Sequence, residues 1–397
     1  MENLIKTRRY EFDWLRVLAF SLLIFYHTGM FFVAWEWHLK NNQLSEALEL
    51  PMQFMSQWRM SLIFLVSGVG VYYALGYRPA GTFTKDRLKR ILLPLVIGML
   101  VVVPPQVYFE RLTQGFQGNY FQFFPSIFEF EPYPQGNFSW HHLWYLAYVL
   151  CYSLLLLPVL LYLRKTQIQE TASKRWLLLV APAMWLSLGA VLLNRKFPAT
   201  NALVDDWANH FLYITMFLFG FLLMKLPQLQ QKIKDVRFGS LVLGVSAFSL
   251  LLFLMHDREF EALSPAQQTM YFVLKSCNRW FWLMTLLGFA MTHLSFKGKY
   301  LAQANEMVYP FYILHQTVIV ALAFYLRDLD WAIFPKFALI SGGTFVLCFV
   351  LVRYVIMPIN WLRVPFGLAP RKPAVPAMPP VAVEQKESGK VVVGSCF

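Results

Sequence analysis

Charge is what this sequence has least of. Only 14% of its 397 residues are Asp, Glu, Lys or Arg, whereas soluble domains carry about one quarter, so most of the chain cannot be a solvated globular surface. Cysteine is scarce as well, with 4 residues. Cys151, Cys277 and Cys348 fall inside apolar runs and Cys396 is next to the last residue. That pattern excludes a disulfide framework and a CxxC metal site. Cys396 is also too close to the end for prenylation. There is no glycine-rich phosphate loop, no G-x-S-x-G elbow and no H-E-x-x-H helix, so the common soluble-enzyme signatures are missing. Nor does a solenoid-type repeat period stand out.

What is present is apolar: 57% of residues are hydrophobic and 17% aromatic, with a mean hydropathy of +0.47. The apolar runs fall at about 12–33, 55–77, 91–109, 139–163, 176–193, 207–226, 238–255, 271–296, 306–326 and 337–359, each near the ~20 residues a bilayer requires. They predict an all-α, polytopic integral membrane protein of about ten transmembrane helices. The connections on the N-terminal side hold 18 lysines and arginines and the opposite ones 7, while Glu129, Glu131, Asp205, Asp206 and Glu261 lie opposite. The positive-inside rule then predicts that both termini are cytoplasmic, and it makes the net charge of +13 a topology signal rather than a nucleic-acid footprint. The first run is too long for a signal peptide and lacks an A-x-A-like site, so a retained signal anchor is expected. The integral domain is expected over residues 1–363. Residues 364–397, rich in Pro, Ala and Val, are expected to form a disordered cytoplasmic tail. Pro94, Pro104 and Pro105 mark the third run for kinks. The connection at about 110–138 is crowded with Phe and Tyr, which suits a membrane interface or the wall of a cleft.

Four constellations carry candidate chemistry. In "DWLRVLAFSLLIFYHTG", Asp13 and Arg16 are helical neighbours. His27 returns to the same face about 16 Å further along, at 1.5 Å per residue. Ionisable groups inside a membrane are costly and mark functional positions by default. The stripe is therefore read as a buried base reached by a charged ligand, against the plainer reading of an Asp–Arg surface pair and a bonded histidine. "KDRLKRILLP" places Lys85, Arg87, Lys89 and Arg90 before the third run. Topology alone explains part of this cluster, and arginines there also suit phosphate groups. "EMVYPFYILHQ" contributes Glu306, Tyr309, Tyr312, His315 and Gln316, with His315 near mid-membrane, either facing His27 or bonded in the core. "SWHHLWYL" sets His141 and His142 among Trp140, Trp144 and Tyr145. That is either an interfacial aromatic belt or a sugar-binding surface. Arg59 and Arg279, near or within spans two and eight, need partners, and an anionic ligand group is one.

With these residues in this order, the chain resembles the acyltransferase-3 family of integral membrane enzymes, closest to the branch containing the succinyltransferase of periplasmic glucans. The resemblance rests on "DWLR" followed by "FYH", "RMSLIFLVSG", "RLKRILLP", "HHLWYL" and "NEMVYPFYILHQ", and runs across nearly the whole integral domain. It implies transfer of an acyl group, acetyl or succinyl, from a cytoplasmic donor such as acyl-CoA to a hydroxyl of an extracytoplasmic glycan or glycoconjugate at the inner or plasma membrane. It brings no bound cofactor, metal or nucleic-acid partner, with acyl-CoA as a co-substrate. The family's essential arginine and histidine of span one fall on Arg16 and His27, its basic motif on Arg87 and Arg90, and its "HLW" histidine on His142. Its span-nine motif falls on Tyr309 to His315. Val308 stands where many relatives carry a small hydroxyl residue.

The resulting expectation is a catalytic group of His27, Arg16 and His315. Arg16, Arg87 and Arg90 would bind the donor, and Arg59, His142 and Trp144 the acceptor. Asp13, Glu306, Tyr309, Tyr312 and Arg279 would support them. His27 serves either as general base or as a covalent acyl carrier. Arg59 or Arg279 either stabilises the oxyanion or holds the free carboxylate of a succinyl group. The rival readings are a transporter of a lipid or glycan without covalent chemistry, and a scaffold.

Overall fold

Backbone polar groups in lipid must be satisfied within their own segment, so long apolar runs fold as helices. The computed structural model describes residues 8–168, 174–256 and 258–371. Among these the chain is all-helical apart from one isolated bridge between Pro132 and Phe138. In order, the elements are α1 (Tyr10–Met30), α2 (Glu49–Tyr77), α3 (Ala80–Arg87), α4 (Leu93–Ile97), α5 (Pro104–Thr113) and the single turn α6 (Tyr120–Phe123). They continue with α7 (Trp144–Leu155), α8 (Leu157–Lys165), α9 (Arg175–Leu193), α10 (Trp207–Lys225) and α11 (Pro227–Met255). The last are α12 (Pro265–His293), α13 (Leu301–Leu326), α14 (Ile333–Val350) and α15 (Asn360–Arg363). Two π-helical turns, Leu88–Leu92 and Gly98–Val102, join α3, α4 and α5 into one long rod.

Seven of these helices are long and apolar enough to cross a membrane, or eight if α7 and α8, bent by 55° at their junction, form one broken span. This is a multi-pass membrane architecture, but the expected count of ten is not reached. Two further helices, α1 and α12, have the length but not the apolar composition. The reason is their polar cargo: Asp13, Arg16 and His27 in one, Lys275, Asn278 and Arg279 in the other.

Between α2 and α10 the two backbones touch. A Cβ added at Gly68 would lie 1.9 Å from the Phe217 carbonyl oxygen, and one added at Gly220 would lie 1.9 Å from that of Leu65. Small residues at such a crossing allow the close approach that drives helix association in lipid. Around this contact lies the main core, which runs through Phe64, Tyr148, Phe217, Trp280 and Leu287. A smaller cluster packs Phe31, Phe32 and Leu39, just beyond α1, against Ile319, Val320 and Ile340.

That second cluster makes residues 31–45 a fixed plug. Fully buried Lys336 donates to Asn41 Oδ1 (2.8 Å), Asn42 Oδ1 (3.0 Å) and the Arg327 carbonyl (3.3 Å). Lys40 caps the end of α1 by donating to the carbonyls of Met30, Val33 and Trp35. Charge-assisted bonds of this kind satisfy the terminal carbonyls of a helix.

At the opposite end, residues 364–371 fold back. Arg363 Nε donates to the Ala369 carbonyl at 2.6 Å, and Gly367, at φ +72°, lies against the ring of Tyr309. The remainder of the expected tail, from residue 372, lies outside the described residues.

Candidate active site

Three cavities lie in series, the first two of them lined in part by α1. The first, of about 490 Å³, opens at the end of the bundle that holds the start of α1 and is lined by Arg16, Arg78, Arg87, Arg90, Asn305 and Tyr309, among others. The second, of about 380 Å³, holds His27, Arg59, His142, Tyr213 and Tyr312. The third, of about 500 Å³, lies beyond it and is walled by Tyr133, Phe138, Trp140, His141 and Trp144. Neighbouring cavities share walls: Phe20 and Tyr145 line both the first and the second, and Trp144 and Asn201 both the second and the third.

The basic cavity is built by the rod of α3 to α5. The π-turn at Leu88–Leu92 carries Arg90, and Arg87 immediately before it lies over the ring of Phe83 at 4.7 Å. π-turns recur at functional sites because they re-aim side chains. Arg78 is neutralised by Asp86 at 2.7 Å. Arg16 Nη1 reaches only Asn305 Oδ1, at 3.3 Å.

The Asp13–Arg16 pair of the plainer reading does not form among the described residues. Asp13 bonds Arg8 at 2.7 Å instead, because it sits at the exposed start of α1 while Arg16 turns into the bundle. Glu306 pairs with buried Arg363 at 2.8 Å, and both line this cavity. Tyr309 lines the cavity with its hydroxyl buried and unpartnered.

At the wall of the middle cavity both alternatives for His315 are met: its ring centroid is 5.2 Å from that of His27, and it is also hydrogen-bonded in the core. His315 Nδ1 donates to the Tyr312 carbonyl at 2.6 Å, which leaves Nε2 as a lone-pair atom. This Nε2 and His27 Nδ1 are both buried without a partner. His142 stands perpendicular to His315 at 5.1 Å, its Nε2 donating to the Ile313 carbonyl at 3.0 Å.

Arg59 completes the chamber. It is 7% exposed, lies 3.4 Å from the ring of Tyr26, and has no hydrogen-bond partner at Nε or Nη1. Buried charges are ordinarily paired, since desolvation costs several kcal/mol per ion. A guanidinium left open in this way has free donors of the kind that bind anions. Arg279 differs: its Nε donates to the Gln57 carbonyl at 2.8 Å, and it lines none of the three cavities.

The outer cavity keeps its shape through Asp206. This fully buried carboxylate accepts from Tyr148, from the backbone amides of Thr200 and Asn201, and from Asn209. Asn201 in turn accepts from Trp140 Nε1 at 3.2 Å. The aromatic 110–138 connection supplies Tyr133 and Phe138 to this cleft, while Phe121, Phe128 and Phe130 point outward and exposed.

Residues 9–353 match the family model described as an acyltransferase domain, Acyl_transf_3. The chain belongs to the acyltransferase-3 family. It is similar to "Glucans biosynthesis protein C" of Escherichia coli O81 (strain ED1a), at 21% identity over 264 residues. That match takes in 63% of this chain and 66% of the relative, just under two thirds of the relative's length. The protein of the same name from Salmonella paratyphi B is 23% identical over 279 residues, covering 65% of this chain and 68% of the relative. No solved structure matches.

For an acyltransferase-3 chain, the chamber places together His27, His315, His142 and Arg59, with Trp144 at its outer rim. Three further residues had no weight in the sequence reading. Gln106 is fully buried and faces His142 Nδ1 at 3.4 Å. His38 and Glu110 bond each other at 2.6 Å beside His141. Glu110 carried a detectable signal, an acid at the end of an apolar run. His38 carried none, because its partner is 72 residues away. A flanking apolar groove of about 380 Å³ between α1, α13 and α14 also reaches His315.

Proposed function

We propose that this acyltransferase moves an acetyl or succinyl group from a cytoplasmic acyl-CoA to a hydroxyl of an extracytoplasmic glycan, across the inner or plasma membrane. The observation that carries the reading is the series of three cavities whose middle member holds His27 and Arg59, with His315 against the His27 ring. Both termini are then cytoplasmic, with α1 and α12 completing ten spans as polar-lined crossings. The basic cavity suits the phosphates of CoA, which Arg16, Arg87 and Arg90 would hold by charge-assisted bonds. The thioester arm passes Phe20 and Tyr145 into the middle chamber. The acceptor enters from the outer cleft, where the faces of Trp140 and Trp144 suit the apolar faces of a sugar ring.

In the chamber, His27 takes the proton of the acceptor hydroxyl as that oxygen attacks the thioester carbon. The C–O bond forms, the C–S bond breaks, and the departing thiolate receives a proton. Arg59 stabilises the oxyanion between these events or, with a succinyl donor, holds its free carboxylate. In the covalent variant His27 first carries the acyl group and then yields it to the hydroxyl. His315 and His142 stay in contact as neutral imidazoles that orient His27. The acceptor named by the relatives, glucan, enters as the first candidate.

Mass spectrometry of envelope glycans tests this reading. Cells lacking the gene are complemented with wild type or with His27→Ala at matched membrane levels. An acyl-sized increment restored only by wild type supports the transferase and identifies the group. Equal increments with both proteins remove His27 from the chemistry. Glycan export lost without any change in mass favours the transporter.

A further inference from the structure

Beyond the His27 chamber, where the outer cleft meets the plug formed by residues 31–45, lies a second cluster that the transfer reaction does not use. We propose that His38, Glu110 and His141 form a binding site for a divalent transition cation, zinc foremost, facing the outer cleft.

Three observations support the site. Ligand atoms, one each from His38, Glu110 and His141, lie within 4.8 Å of one another, and His38 Nδ1 is 2.6 Å from Glu110 Oε2. A tetrahedral zinc ion with bonds of about 2.0–2.2 Å needs its ligand atoms roughly 3.4 Å apart, so side-chain movements well under a rotamer change complete the geometry. His141 Nε2 is buried without a partner, while its Nδ1 is 3.1 Å from Ser139 Oγ. With the proton on Nδ1, the Nε2 lone pair is left for a cation. A positive φ of 38° at His141 holds the ring in this place, a backbone strain that the surroundings maintain.

Every atom turned away from the centre has a partner, as the outer shell of a metal site requires. Glu110 Oε1 accepts from the Tyr133 hydroxyl (2.9 Å) and from Gln114 (3.2 Å). His38 Nε2 meets the Gln316 side-chain amide at 3.0 Å. The cation would displace the proton now shared between His38 Nδ1 and Glu110, and that proton would move to His38 Nε2. Gln316 Oε1, itself buried and unpartnered, is there to accept it once the amide turns over. The nearby Arg111 does not compete for Glu110, because it is engaged by Asn137, Gln114 and the carbonyls of Pro134 and Gly136.

Two imidazoles and one carboxylate favour zinc over magnesium or calcium, which take oxygen ligands. Tyr133 and His141 line the outer cleft, so the fourth position opens toward it, to a water or a sugar hydroxyl. A hydroxyl bound there would lose its proton more readily than in water.

The test is metal content, which is independent of acyl transfer. Full-length protein in detergent is stripped with a chelator, reloaded with zinc, desalted and analysed by inductively coupled plasma mass spectrometry. Wild type should retain roughly one zinc per chain, as for a three-ligand protein site. Glu110→Gln and His141→Gln should bind at least about 10-fold more weakly. Ser139→Ala, which removes no ligand, should fall by about 10–100-fold. Cobalt loading should give the intense visible bands of a tetrahedral site in wild type alone. Wild type holding no more zinc than the variants overturns the proposal, as does zinc retained equally by all of them in monodisperse protein.

Discussion

His27 and His315 stand 5.2 Å apart, ring to ring, and each presents a buried nitrogen with no hydrogen-bond partner. They come from helices nearly 290 residues apart in sequence, and neither nitrogen is satisfied by the fold. Buried polar atoms are ordinarily bonded, and leaving one unpaired costs about 1–3 kcal/mol. Two such costs side by side are consistent with the proposed reading, in which a substrate supplies the missing partners.

The first prediction follows from that pairing. His27→Ala should lower acyl transfer by about 10²–10⁴-fold if His27 acts as a general base, and His315→Ala by less, since His315 only orients it. Incubating wild type with acyl-CoA and no acceptor, followed by intact-protein mass spectrometry, separates the two roles. An acylated chain that disappears on adding acceptor supports the covalent route. An unmodified chain that still transfers supports direct attack.

Arg59 supports the second. Its guanidinium lies on Tyr26 at 3.4 Å with Nε and Nη1 free. A charge-assisted hydrogen bond is worth about 1.5–3 kcal/mol, so Arg59→Met should cost roughly 10–150-fold. If Arg59 reads a free carboxylate, the loss falls on a succinyl donor and largely spares an acetyl donor. If it holds the oxyanion, both donors lose equally in kcat.

Arg87 and Arg90 give the third. They line the basic cavity and contact no reacting atom, so Arg87→Gln and Arg90→Gln should raise KM for acyl-CoA several-fold and leave kcat near wild type. Removing the 3′-phosphate from CoA should shrink the difference between variant and wild type. A fall in kcat at unchanged KM would instead place these arginines in the chemistry.

Much of this arrangement was legible in the sequence, for identifiable reasons. His27 and His315 declared themselves because an ionisable group in an apolar run has few explanations. Arg59 did so for the same reason, and the family motifs fixed their order. What stayed hidden was partner choice. Asp13 and Arg16 satisfy the i, i+3 spacing, yet Asp13 takes Arg8 because solvent exposure at the start of α1 favours the nearer outward cation. Arg279 looked equivalent to Arg59, but it donates to the Gln57 carbonyl. The His38–Glu110 contact joins a loop to a helix end across 72 residues, and no periodicity encodes such a distance. Length and composition single out only seven or eight spans for a related reason: the polar residues of α1 and α12 lower their hydropathy.

The last prediction concerns how the chamber is held. Arg59 on α2 and Tyr213 on α10 face the same cavity, and Phe64 stacks on Tyr213 at 4.3 Å. Their spacing is set where the two helices touch, at Gly68 and Gly220. An added methyl at either glycine meets a backbone carbonyl, which cannot move aside as a side-chain tip can. Gly68→Ala and Gly220→Ala should therefore push the helices apart, at about the 1–3 kcal/mol typical of overpacking, and lower the thermal midpoint in detergent. Because Arg59 and Tyr213 separate with the helices, transfer activity should fall more than the loss of folded protein accounts for. Gly239→Ala is the control, since a Cβ there meets nothing within 4 Å. If Gly68→Ala matched that control in both midpoint and activity, the α2–α10 contact would not be what fixes the chamber.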